Sequence, residues 1–182
     1  LLEVQRGEKD GIALLLQTEE RSKYMLFSEV IIEVPSLFYY RKDVFPSGFK
    51  WTNIDDLKGQ RIGIVRGAAH FARFDNDQKL MKIAVQSEKV AMDLLLKGRL
   101  DVVIAVEQTA DHSLSVLNQP SHRLKKLTYR HDEPILGYAV ASKRSEKQKL
   151  IEQVQVALLD LAKSGELSQI VDLYDLPPVD VK

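Results

Sequence analysis

The sequence holds no cysteine among its 182 residues. That excludes disulfide scaffolds, thiolate metal sites and cysteine nucleophiles. It has no excess of charge either: 26 basic and 26 acidic side chains cancel, so nothing in the balance steers the chain to nucleic acid or an anionic membrane. No apolar run approaches the roughly 18 residues that span a bilayer, the longest being fragments such as "GIALLL". His70, His112, His122 and His131 stand at no metal-ligating spacing and read as surface or cleft-rim residues, so neither a metal nor a cofactor is expected. G-x-S-x-G, P-loop and G-x-G-x-x-G motifs are missing. No signal peptide is visible, and a chain that opens on Leu1 reads as cut at its start.

What is present is a substantial apolar fraction, 45%, enough for one large domain or two small lobes. "LLEVQRG" reads as a helix tail closed by Gly7, and "IALLLQ" as a buried strand. Thr18 follows as an N-cap, with Glu19 and Glu20 where the helix dipole favours acids. "EVIIEVPSLFYYRKD" predicts two extended pieces bent at Pro35. "IDDLKGQ" is a helical turn closed by Gly59.

"RIGIVRGAAHFARF" predicts a strand over 61–65, a turn at Gly67 and a helix from Ala68. "KIAVQ" is a strand, and Ser87 caps a helix with Val90, Ala91, Leu94 and Leu95 on one face. "LDVVIAV" has the near-continuous apolar character of a doubly covered strand. This alternation makes the centre of the chain an α/β lobe. A strand at 137–141 precedes a helix over 146–163, with Leu150, Val154, Ala157, Leu158 and Leu161 at helical spacing. A last helix stops before Pro177 and Pro178. Phe45, Phe49 and Trp51 form either a hydrophobic plug or core, and the basic run 122–131 a solvated face.

Four pieces in order, "GEKDGI…TEER…FS", "IDDLKGQRIGIVRG", "LLLKGRLDVVIA" and the closing "GYAVASKRSEKQKLIEQVQVALLDLAKSGELSQIVDLY", resemble the family 3 extracellular solute-binding proteins, the amino-acid-binding proteins of ABC importers. The resemblance runs from Gly7 to about Tyr174. It implies an α/β, two-lobed type II periplasmic-binding fold with mixed, mostly parallel sheets and two hinge crossings. The first lobe would be 1–40 plus 137–182, and the second 41–136. The family's opening strand-helix-strand has no counterpart, so the chain reads as a fragment or as a protein with an abbreviated first lobe.

The resemblance also implies a site in the cleft between lobes. Arg21 stands where the family's arginine forks onto a ligand carboxylate, with Thr18 beside it. A planar guanidinium gives two parallel charge-assisted hydrogen bonds, which lysine cannot. The alternative is a helix-start arginine paired with Glu19 or Glu20 on the surface. Gly67, Ala68 and Ala69 stand where the family has Gly-Thr, as a backbone anion cradle with Arg66 and His70 nearby, or else Gly67 only turns the chain. Val106 replaces the family's ammonium-binding aspartate, and Glu107 follows it on what a strand makes the opposite face. Leu14, Leu15 and Leu16 replace polar residues. An ordinary α-amino acid is therefore a poor fit, and a carboxylate without the amine a better one.

The implied role is a non-enzymatic, periplasmic or membrane-tethered extracellular binding protein for a small carboxylate or amino-acid-like ligand. Its partners would be ABC transporter membrane subunits and, through the incomplete first lobe, a second copy. The same fold as a sensor or interaction domain is the alternative, and a dehydratase-like enzyme would need Glu107 as its acid or base.

Overall fold

The computed structural model describes residues 1–34, 36–49, 52–117, 121–127 and 135–173. Pro35, Trp51, His131, Pro177 and Pro178, singled out above, lie outside the described residues. In chain order the elements are α1 (Leu2–Arg6), β1 (Gly11–Leu16), α2 (Glu19–Ser22), β2 (Met25–Glu33), β3 (Ser36–Arg41) and β4 (Arg61–Val65). There follow α3 (Ala72–Asn76), β5 (Met81–Val85), α4 (Glu88–Leu96), β6 (Val102–Val106), α5 (Glu107–Leu117) and β7 (Leu124–Leu127). The chain continues through β8 (Leu136–Ser142), α6 (Leu150–Ser164) and α7 (Glu166–Leu173).

Two compact units result, Leu1–Pro35 with Glu133–Lys182, and Ser36–Asp132. The sequence put these divisions at 40/41 and 136/137. They fall earlier because β3 pairs wholly with β6 and β7 inside the second unit, while β8 pairs with β1 and β2 inside the first.

The first unit is a three-stranded antiparallel sheet in the order β1-β8-β2. Its buried cluster is Val4, Met25 and Val140, with Ile12, Leu15, Tyr24 and Phe27 partly buried around it. Gly7 closes α1 in the left-handed conformation, φ 81°, as the sequence predicts. Two expectations fail here for the same reason. The "IALLL" strand is not buried: among the described residues β1 pairs with β8 alone, and Leu14 is 47% exposed. The helix expected from 146 begins at Leu150, and Leu150 and Val154 of its apolar stripe are exposed although α6 packs on β2 and β8. A hydrophobic period says that a face can be buried, and burial also needs a neighbour to cover it.

The second unit is a five-stranded mixed sheet, β5-β4-β6-β3-β7. Its parallel part is β5-β4-β6, while β3 and β7 run antiparallel to their neighbours. β6 sits in the middle and is buried on both faces, as its apolar sequence predicts. Alternate residues serve opposite layers. Tyr39, Val103 and Ala105 pack with Ala91, Met92, Leu95, Ala110 and Leu114 of α4 and α5, while Phe38 meets Phe74 edge-on at 5.9 Å. Ser87 caps α4 by accepting from the Val90 N–H, but Val90 itself is exposed, and Met92 and Leu96 are buried in its place. Gly63 lets the β4 backbone lie against the Leu100 side chain, which a methyl there would run into. Across this sheet Arg61 and Asp101 form a two-pronged ion pair, 2.7 and 3.0 Å, and Arg61 also donates to the Gly98 carbonyl at 2.8 Å.

Candidate functional site

On the first unit the site residues are local in origin. β1 ends at Leu16, and α2 begins after Thr18, whose hydroxyl accepts from the Arg21 N–H at 3.2 Å. That single turn sends the Arg21 side chain back along the strand, where Nη1 donates to the Leu16 carbonyl at 2.6 Å. Arg21 is buried, 6% exposed, rather than spread over the surface. A buried guanidinium is costly unless its donors are used, so this one is held by a built arrangement of the strand end.

On the second unit the predicted residues lie along the loop after β4. Gly67 turns the chain at φ 77° with nothing within 4 Å of where a Cβ would stand, and Arg66 and Ala68 are exposed beside it. The helix expected at Ala68 begins only at Ala72 and is five residues long. The reason is chemical competition. The N–H of His70 donates to Asp75 Oδ2 at 2.8 Å, the Ala68 N–H to the Val65 carbonyl at 3.0 Å, and the Arg66 N–H to the Val85 carbonyl at 2.8 Å. Local acceptors take those amides before a helix can organise them.

His70 is not the rim residue expected. Its side chain is 7% exposed, its Nδ1 lies 3.1 Å from Asp75 Oδ1, and its ring meets Phe74 edge-on at 5.3 Å. Burial alone would raise the Asp75 carboxyl, but the hydrogen bonds from the His70 ring and backbone, with the Lys82 charge, bring it below the usual carboxylate value.

Glu107 opens α5 rather than extending β6, so the alternation argument that turned it away from Val106 does not apply. Its Oε1 accepts from Lys126 Nζ at 2.8 Å, and the same ammonium reaches Asp111 Oδ2 at 2.7 Å. The Tyr39 hydroxyl donates toward the Glu107 carbonyl and Asp111 Oδ1, both at 3.4 Å. Burial, then the charges of Asp111 and Glu107, push the Tyr39 phenol far up, so it stays a neutral donor. Burial would lower Lys126, but Asp111 and Glu107 hold it above the usual lysine value and therefore charged. Asp111, Lys126 and Tyr39 were not singled out from sequence, although Glu107 and Asp111 four apart on one helix were a readable signal. Val106 ends β6, and its N–H donates to Glu88 Oε1 at 3.3 Å. Among the described residues no group of three or more His, Cys, Asp or Glu could hold a metal, and no helix is long and apolar enough to cross a membrane.

No family model matches the chain. It is 27% identical over 160 residues to the ABC transporter arginine-binding protein 1 of Escherichia coli (strain K12), a match that takes in 86% of this chain. The chain spans only 62% of that relative's length. The substrate-binding protein of an amino acid ABC transporter superposes with a TM-score of 0.74 at 23% identity, covering 95% of this chain and 74% of that one. A histidine kinase sensor domain with similarity to periplasmic binding proteins gives 0.75 at 16% identity, covering 95% and 72%. With one antiparallel and one mixed sheet, the chain has the α/β fold of the amino-acid ABC transporter substrate-binding proteins.

Proposed function

We propose that the chain is a solute-binding protein of an ABC importer, working outside the cytoplasmic membrane, that closes on a small carboxylate or amino-acid-like ligand without chemical turnover. The observation that carries this is the seat of Arg21. A buried guanidinium braced by the carbonyl that ends β1 is a rigid fork, and its planar donor set suits a carboxylate. The arginine-binding relative supports the amino-acid-like class of ligand. Thr18 acts by capping the turn that carries Arg21. On the second unit Arg66, Gly67, Ala68 and Ala69 offer the exposed or half-exposed loop surface, and His70 serves from behind it. Glu107 is a wall residue whose charge Lys126 shares. The transporter's membrane subunits are the implied partners, together with a second copy through the edge of β1 that no described strand pairs with.

The test is a calorimetric titration with L-arginine, L-glutamine and succinate, repeated on Arg21→Ala. Saturable binding by one of them that disappears in the variant supports the reading. No binding by any of the three turns the assignment to a second reading, a sensor domain of the same fold, which the kinase sensor likeness favours.

A further inference from the structure

The loop after β4 is held from within by one carboxylate. Asp75, on α3, takes the His70 N–H with one oxygen and faces the His70 ring with the other, at 2.8 and 3.1 Å. The ring lies against Phe74, which is fully buried and meets Phe38 of β3 and Phe71. Lys82 of β5 donates to the carbonyls of Phe74 and Asp75 at 3.0 and 2.7 Å, and its ammonium sits 5.4 Å from the Phe74 ring centre. The near end of the loop is fixed by the Arg66 N–H bonded to Val85. Between these anchors the tip at Gly67 and Ala68 is exposed, and no side chain stands within 4 Å of a Cβ built at Gly67.

We infer that Asp75 is a positioning residue which, through His70, sets the tip Gly67–Ala69 in one shape before a ligand arrives; this rests on the reading of that tip as a ligand contact. The pair suits such a role because it ties backbone and side chain of one residue to a single acceptor. A backbone displacement at His70 that breaks the amide bond also carries the ring away from Asp75, so moving the loop costs both contacts. The Ala68 N–H bonded to the Val65 carbonyl makes the turn, and beyond it the tip carries a glycine and two alanines, so the side chains that order the loop are those on its flanks.

The experiment is amide hydrogen exchange across 67–71 in the whole chain, together with L-arginine titration, for Asp75→Ala and Asp75→Asn. Asp75→Ala is expected to speed exchange of the His70 amide about tenfold or more while the β6 amides stay protected, and Asp75→Asn, which keeps an oxygen for that amide, to restore part of the protection. L-arginine affinity should fall at least about fivefold in Asp75→Ala and recover in Asp75→Asn. Unchanged exchange in Asp75→Ala overturns the inference. Faster exchange with unchanged affinity, in a wild type that binds, overturns it too, because the loop then orders nothing the ligand meets. A wild type that binds no L-arginine counts against the proposed ligand class, and the exchange arm still decides whether Asp75 holds the loop. Should Asp75→Ala lose protection in β6 as well, it has unfolded, and the Asp75→Asn comparison decides alone.

Discussion

Arg21 Nη1 and the carbonyl of Leu16 are joined by a 2.6 Å hydrogen bond, so the guanidinium is fixed to the strand that precedes it by five residues. Lysine at that position could keep the charge and one donor but not the planar fork. Arg21→Lys is therefore expected to weaken carboxylate binding by more than about 1.5 kcal/mol while costing at most about 1 kcal/mol of stability. Calorimetry and chemical denaturation run side by side check this. A stability loss with affinity intact would make the residue structural.

Val106 ends β6 with its N–H on the Glu88 carboxylate, in the place where the resemblance puts an ammonium-binding acid. A carboxylate introduced there offers an amine a partner that valine cannot. Val106→Asp should strengthen L-arginine binding by about tenfold, roughly 1.4 kcal/mol, measured at neutral pH. If the affinity stays as it was, the position does not face the ligand.

Asp101 titrates below the usual carboxylate value because the Arg61 side chain hydrogen-bonds to it, against an opposing effect of burial. A lowered folded pKa means that the stabilisation is complete above the unfolded value of about 4 and is lost as pH falls through the folded value. Between neutral and mildly acidic pH the pair is thus intact, and its loss belongs to the acid limb below pH about 4. Asp101→Asn should lower the melting temperature at pH 7 and narrow the gap to wild type as the pH falls below about 4. A gap constant from pH 7 to pH 3, on the same scale, would mean that hydrogen-bond geometry, not ionisation, holds the β4–β6 joint.

How far the sequence was readable depended on what each signal encodes. The caps at Gly7, Thr18 and Ser87 and the doubly buried β6 are local or intrinsic properties, and the structure has them where the residues put them. Leu14 and Val154 were expected inside and are outside, since an apolar pattern does not say whether a covering element is present. The helix after β4 was expected too early because Asp75 reaches back five residues to the His70 amide, a side-chain competition that periodicity cannot register. Within the site, Arg21 was marked by a motif, and its burial was not foreseeable from the acids beside it. Lys126 was hidden in a basic run read as solvated, though it sits between Glu107 and Asp111, residues that only the pairing of β7 with β3 brings within reach.

The buried and exposed apolar side chains of the first unit give a last, directional test. Met25 on β2 is 1% exposed in the cluster with Val4 and Val140, whereas Leu14 on β1, at the other side of β8, is 47% exposed. Met25→Ala should cost about 2–5 kcal/mol, because it removes one of the few fully buried side chains of the first unit. Leu14→Lys should change the stability of the isolated chain by no more than about 0.5 kcal/mol and should place on the β1 edge the charge that protects exposed strands from pairing. If a second copy uses that edge, light scattering at rising concentration will show association in the wild type that Leu14→Lys abolishes. A wild type that remains monomeric, with Leu14→Lys indistinguishable from it, would mean that β1 is an edge no second copy uses.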